Sequence, residues 1–275
     1  MSQSSQKNQG YLHGFSPEEQ QRLYLQARFL EDKVYRNVDF TGKKKLLEIG
    51  CGVGAQTEIL LERFPNIHIT GIDASEKQLN QAKMRLRSSL DSKKVDLSLG
   101  DATKLEIPDS TFDSAFICWL LEHVSSPLDV LKETFRLLQS GGVLYCTEVM
   151  NATLYLHPYS PATLQYWFAF NDHQWVLGGD PFVGAKLGHY MAQAGFQDIE
   201  TKEVVFHHDS RSPKMRLKMI DYWTQLLLSG APSLVGSNTV TQDLVDEMTK
   251  ELSALKADAN SVFYYASMQA KGRVY

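Results

Sequence analysis

The sequence predicts an α/β fold built on a mostly parallel sheet, and three observations carry that expectation. From Lys45 onward, short apolar runs rich in β-formers alternate with amphipathic helical stretches joined by short connections. A glycine-rich turn, Gly50-Cys51-Gly52-Val53-Gly54, links the first such run to the first such helix. An acidic residue, Asp73, lies nineteen residues beyond Gly54, just past the second run.

Each element has its own signal. Residues 1–10 are polar and expected to be disordered. Ser16-Pro17-Glu18-Glu19 starts a helix with a Ser cap, a proline in the first turn and an acid at the capping-box position; it runs to about Tyr35. Strands follow at Lys45–Ile49, Ile67–Ile72, Val95–Leu99, Phe112–Cys118 and Val143–Val149. The helices between them span Gln56–Arg63, Ser75–Leu90 with a Ser75…Gln78 capping box, and a segment capped by Ser126 that ends near Ser140-Gly141-Gly142. After Met150 the alternation breaks. Residues 151–182 are dense in aromatics, among them Tyr155, Tyr159, Trp167, Phe168, Phe170 and Trp175. The pattern returns with a helix at Val183–Ala194, a strand at Phe196–Phe206, helices at Pro213–Ser229 and Thr241–Asp258, and a last strand at Ser261–Ala270. An aromatic insertion after the fifth strand belongs at the carboxyl edge of the sheet, where open α/β sheets bind ligands.

Composition narrows the function classes. With 43% apolar residues the chain of 275 can bury a real core, and a formal net charge of −4 offers no basic stripe for nucleic acid. Cys51, Cys118 and Cys146 form no C-x-x-C pair, so neither a disulfide framework nor a metal site is expected. The polar N-terminus and the lack of a long apolar run point to a cytoplasmic protein with no membrane partner, a monomer or a homodimer.

The glycine turn admits two ligands. Gly50-x-Gly52-x-x-Ala55 satisfies a loose dinucleotide fingerprint, and Asp73 suits a ribose in either case. Glu48, two residues before the first glycine, separates the alternatives. A carboxylate there repels a pyrophosphate and favours a ligand with an ammonium and a sulfonium. Asp101, in Gly100-Asp101-Ala102 after the third strand, adds an acceptor for an adenine amino group. S-adenosylmethionine fits both acids; a nicotinamide dinucleotide explains neither.

LLEIGCGVG, TGIDAS, GDATKLEIPDSTFD, CWLLEHV and SGGVLYCTE, in that order, resemble the successive motifs of class I S-adenosylmethionine-dependent methyltransferases, in the ubiquinone-biosynthesis-type small-molecule branch. The resemblance covers roughly residues 11–150 well and AGFQDIE moderately. It implies a Rossmann-like seven-stranded sheet with helices on both faces and a reversed last strand, supplied here by Ser261–Ala270. It also implies site residues. Glu48, Gly50 and Gly52 cradle the methionine part, and Asp73 holds the ribose. Ala74 and Gln78 flank the adenine, Asp101 and Ala102 meet its edge, and Cys118 offers its backbone to the ammonium. Tyr11 resembles an N-terminal aromatic that closes over the cofactor.

The implied organisation is a helical lid over 11–40, a cofactor core over 41–150, an aromatic cap over 151–182 and the rest of the α/β domain over 183–275. The expected reaction is methyl transfer to an O, N or S atom of a small molecule, possible acceptors being aromatic or amine-bearing. His157, His173 and Glu148 are candidate bases, in competition with packing and hydrogen-bonding roles. His123 is read as structural. A non-catalytic cofactor-binding protein is the alternative from another class, with a dinucleotide oxidoreductase behind it.

Overall fold

The computed structural model describes Gly14 and residues 16–275; Tyr11 and the expected disorder of residues 1–10 lie outside the described residues. The strands are β1 Lys45–Ile49, β2 His68–Asp73, β3 Val95–Leu99, β4 Phe112–Cys118, β5 Leu138–Val149, β6 Tyr155–His157, β7 Gln197–His208 and β8 Val262–Arg273. The helices are α1 Pro17–Val34, α2 Ala55–Arg63, α3 Glu76–Arg85, α4 Arg87–Asp91, α5 Pro127–Leu137, α6 Pro161–Val176, α7 Leu187–Ala194, α8 Pro213–Gly236 and α9 Gln242–Ala257.

One sheet contains all eight strands. Its parallel half runs β3-β2-β1-β4-β5, and β8 follows antiparallel to β5, as the reversed last strand the sequence predicts. β7 pairs along nearly the whole of β8, from Gln197↔Arg273 to His208↔Phe263. The sheet has eight strands where seven are expected. The additional strand, β6, is three residues long and pairs with β8 at Tyr264–Val262, beyond the stretch that β5 occupies. Part of the aromatic insertion thus extends the sheet.

Four other expectations shift. Ser75–Leu90 is two helices because Leu86 leaves helical geometry (φ −93°, ψ 16°), and its buried side chain packs against Gly54. Ser126 makes no side-chain cap, so Pro127 alone marks the start of α5. That helix ends at Leu137, and β5 already begins at Leu138, with a register shift opposite Phe112/Ser114 absorbing Gly141-Gly142. α8 continues past Ser229 and through Pro232 to Gly236, with Gly230 set against the Phe170 ring.

Apolar side chains fill both faces of the sheet. Leu46, Ile69 and Phe116 point into a core shared with α1, α2, α6, α8 and α9, while Leu47, Ile49 and Ile117 point into a second core with α5 and α7. Consecutive residues of β1 therefore serve opposite cores, as a strand's two-residue period requires.

Candidate active site

The site begins where β1 ends. Gly50, Gly52 and Gly54 all have positive φ (76°, 52° and 76°), a backbone that L side chains rarely adopt. The amides of Gly50 and Cys51 both donate to the Ile72 carbonyl, at 2.8 and 3.0 Å, which fastens the turn to β2. The Asp73 carboxylate completes the fastening: Oδ2 accepts from the Gly52 amide and Oδ1 from the Ser75 amide, each at 2.8 Å. At Gly52 an added Cβ would meet nothing within 4 Å. The space in front of it belongs to a cavity of about 1130 Å³.

Eight of the ten sequence-predicted cofactor residues line that cavity: Gly50, Gly52, Asp73, Ala74, Gln78, Asp101, Ala102 and Cys118. Tyr11 is outside the described residues. Glu48 does not line the cavity; it is 2% exposed and accepts from Thr57 Oγ1 at 2.6 Å. Burial pushes its pKa up to about 8, Asp73 adds to the rise and the Thr57 bond opposes it. Burial also raises Asp73, against the pull of its two amide bonds. Asp101 is exposed, and its Oδ1 accepts from Thr103 N and Oγ1 at 2.9 and 2.7 Å. Gln78 accepts from Gln20 of α1 at 3.1 Å, and Gln56 reaches the Cys118 sulfur at 3.7 Å.

The charge of the wall distinguishes the two ligands. It carries Asp73, Asp101, Glu122 and Asp129, and Arg22 is its one Lys or Arg among the described residues. Arg22 is already gripped by Glu19 at 2.7 and 2.6 Å. An anionic wall repels a pyrophosphate and favours a cationic ligand.

None of the three sequence-predicted bases reaches the cavity. Glu148 is fully buried on β5, and its Oε1 accepts from the Leu120 and Leu121 amides at 2.9 and 2.6 Å, holding the loop after β4. Burial, with the neighbouring Glu122, pushes its pKa up. His157 is exposed on β6, at the rim of the sheet. His173 ties α6 to α8, with Nε2 3.1 Å from Ser233 Oγ. Glu148 and His173 thus hold structure, and His157 is exposed and does not line the cavity. The histidine that does line the cavity is His123, in the turn after β4. Its Nε2 lies 3.6 Å from Glu122 Oε1, while Gln174 Nε2 donates to Glu122 Oε2 at 3.0 Å. The cue was its place in CWLLEHV, directly after a strand whose end lines the site.

The aromatic insertion divides in two. Trp167 and Phe170 are buried, stacked at 5.3 Å, and line the cavity together with Trp223 and Tyr265. Trp175, Phe168 and Tyr159 are exposed and lie outside it, so Trp175 does not face the site.

Sheet, glycine turn and acidic cavity together define an α/β protein that binds a cationic adenosyl ligand. Residues 47–146 match the family model described as a methyltransferase domain. The demethylmenaquinone methyltransferase of Listeria monocytogenes serotype 4b (strain CLIP80459) is 33% identical over 167 residues, 56% of this chain and 70% of that protein. The enzyme of the same name from Geobacillus stearothermophilus is 28% identical over 190 residues, 63% of this chain and 79% of that one. Among solved structures, the (4+2)-cyclase SpnF superposes with a TM-score of 0.55 at 25% identity, covering 91% of this chain and 83% of its own. Phosphoethanolamine N-methyltransferase 2 of Haemonchus contortus, bound to S-adenosylhomocysteine, has a TM-score of 0.54 at 18% identity, over 93% and 53% of the two chains. The chain belongs to the class I S-adenosylmethionine-dependent methyltransferases, in their small-molecule branch. It is an enzyme, and its cofactor is S-adenosylmethionine.

Proposed function

We propose that the enzyme methylates a small, ring-bearing, largely apolar molecule held against Trp167, Phe170, Trp223 and Tyr265, with His123 as general base. One observation carries this reading: the glycine turn, Asp73, His123 and the aromatic wall all line a single cavity. Cofactor and acceptor therefore share one space in which a methyl group can pass between them. The relatives are named for demethylmenaquinone, and a quinone-type ring suits an apolar wall.

The cofactor supplies an electrophilic methyl on a sulfonium. The chain's own residues bind, orient and keep out water. Asp73 retains carboxylate lone pairs beyond its two amide bonds, enough to accept from ribose hydroxyls. Asp101 Oδ2 is the acceptor for the adenine amino group, and Ala74, Gln78 and Ala102 flank the base. The backbones of Gly50, Gly52 and Cys118 hold the methionine part, over the buried Glu48. The aromatic wall lines up the acceptor and excludes water, which favours an in-line approach to the methyl. His123 takes the proton from the acceptor's O, N or S as the new bond forms. In domain terms α1 serves as the lid and α6 as the cap over the core of 41–150.

The experiment is incubation with methyl-labelled S-adenosylmethionine and a panel of ring-bearing and aliphatic amine acceptors, read by mass spectrometry. Label is expected in a ring-bearing acceptor. His123→Gln should lower turnover at least a hundredfold, within the range for a lost general base, and leave cofactor affinity within twofold. Label confined to aliphatic amines overturns the acceptor assignment; full turnover in His123→Gln removes the base.

A further inference from the structure

Gln56, in the first turn of α2, lines the cavity without being one of the residues that the sequence motifs single out. Its amide is held one way round. The Tyr35 hydroxyl donates to Gln56 Oε1 at 2.7 Å, while Gln56 Nε2 lies 3.7 Å from the sulfur of Cys118, which lines the same cavity. Tyr35 has little freedom to turn. It caps the C-terminus of α1, is 2% exposed and stacks on Phe116 at 5.4 Å, with the Arg63 guanidinium 5.1 Å from its ring centroid. Burial pushes its pKa well above the ordinary value, so the hydroxyl keeps its proton and acts as the donor. A thiol is a weak acceptor, so the Gln56 amide nitrogen keeps donor capacity at the end of β4.

S-adenosylmethionine carries both an ammonium and a carboxylate at its methionine end. Asp73, Asp101, Glu122 and Asp129 of the wall favour the first and repel the second. A group that presents only N–H donors suits the carboxylate and not the ammonium. Arg22, a competing donor of the same wall, is engaged by Glu19 through two bonds and by Gln26 at 2.9 Å, both on its own helix. We propose that Gln56 binds the methionine carboxylate of the cofactor through its amide nitrogen, and that Tyr35 is the positioning residue that turns the amide to do so. With its carbonyl oxygen fixed on Tyr35, the amide does not flip and present that oxygen to the anion. This assignment rests on the reading that the methionine part lies along Gly50, Gly52 and Cys118.

The test is calorimetry on the full chain with S-adenosylmethionine and with its decarboxylated form, which lacks only the carboxylate. Gln56→Leu is expected to weaken S-adenosylmethionine at least tenfold and the decarboxylated form by less than threefold. Gln56→Glu keeps the size and an acceptor for Tyr35 but replaces the donors with a negative charge. It should weaken S-adenosylmethionine further and leave the decarboxylated form as tight or tighter, and it stands in should Gln56→Leu fail to fold. Tyr35→Phe keeps the stacked ring and should weaken S-adenosylmethionine about threefold while sparing the decarboxylated form. Equal weakening of both ligands in the Gln56 variants, or none, overturns the assignment. A carboxylate-selective loss in Arg22→Gln that is missing from Gln56→Leu overturns it too, and unchanged binding in Tyr35→Phe removes the positioning role. Asp73→Ala is expected to weaken both ligands alike. If it does so while the Gln56 variants bind normally, the carboxylate assignment alone fails; if it weakens neither, the placement of the cofactor in this cavity fails as well.

Discussion

Asp73 carries two loads at once, because the carboxylate that fastens the glycine turn also faces the cavity. Asp73→Ala should weaken S-adenosylhomocysteine binding at least tenfold in calorimetry, since hydrogen bonds to a charged group are worth roughly 1.5–3 kcal/mol each. Unchanged affinity would remove Asp73 from the ribose site. Glu48 gives a prediction in pH. With its carboxyl raised from 4.5 to about 8, the folded protein holds a proton that the unfolded chain has already released between those values. Stability of the ligand-free protein therefore falls as pH rises through that window. Glu48→Gln removes this contribution and keeps an acceptor for Thr57. Relative to wild type, the variant should gain on the order of 1–3 kcal/mol between pH 5.5 and 7.5, read by urea unfolding. A stability difference that stays flat over that range would show Glu48 to be ionised in the folded state.

At the scale of elements, the seam between α6 and the turn after β4 is where cap and core meet. Gly179 follows α6, and a Cβ there would lie 2.4 Å from the Glu122 carbonyl oxygen, a backbone atom that cannot swing aside. The same carbonyl accepts from the Asp180 amide at 2.8 Å and from Gln174 at 3.2 Å. Gly179→Ala must therefore move the turn that bears Glu122 and His123. The expected cost is roughly 1–3 kcal/mol in thermal or urea unfolding, with a loss of methyl transfer larger than any loss of cofactor affinity. An alanine variant with wild-type stability and turnover would mean that the seam yields freely. The packing of the neighbouring helices explains why α6 was hard to place. Tyr166, Trp167 and Phe170 are buried while Phe168 and Trp175 are exposed, so one aromatic-rich stretch has an inner and an outer face. Composition names the stretch; only its neighbours α8 and α9 say which rings turn inward.

For the whole molecule, ligand binding should register in segments far apart in sequence. Arg22, Leu23 and Gln26 of α1, Trp167 and Phe170 of α6, and Tyr222 and Leu226 of α8 all line the same cavity. Binding of S-adenosylhomocysteine should slow hydrogen exchange in α1, and an added acceptor should slow it further in α6 and α8. A hundredfold excess over the dissociation constant should stabilise the fold by about 2.7 kcal/mol and raise the melting temperature, whereas NAD should do neither. Exchange in α1 that is indifferent to the ligand would separate the helix from lid function. No helix among the described residues is long and apolar enough to cross a membrane.

Local chemistry determined much of this by itself. Lys45–Ile49 and Phe112–Cys118 fall where apolar runs place them, because strands buried on both faces write a continuous apolar signal, and the half-exposed edge strand Val95–Leu99 falls where apolar and polar residues alternate. Eight of the ten residues predicted to hold the cofactor line the cavity, because they sit at strand ends and in one glycine turn, where a short stretch of chain fixes the geometry. The three predicted bases do not line it. Glu148, His157 and His173 are the right residue types, yet a side chain's direction depends on partners far away in sequence, such as Ser233, sixty residues beyond His173. β6 went unseen because three residues make no periodic signal, and it exists only because β8 extends past β5 and leaves an edge to pair. The tertiary structure alone decided that His123 lines the cavity and that the Tyr35 hydroxyl fixes the Gln56 amide, since both facts depend on how the helices pack over the end of the sheet.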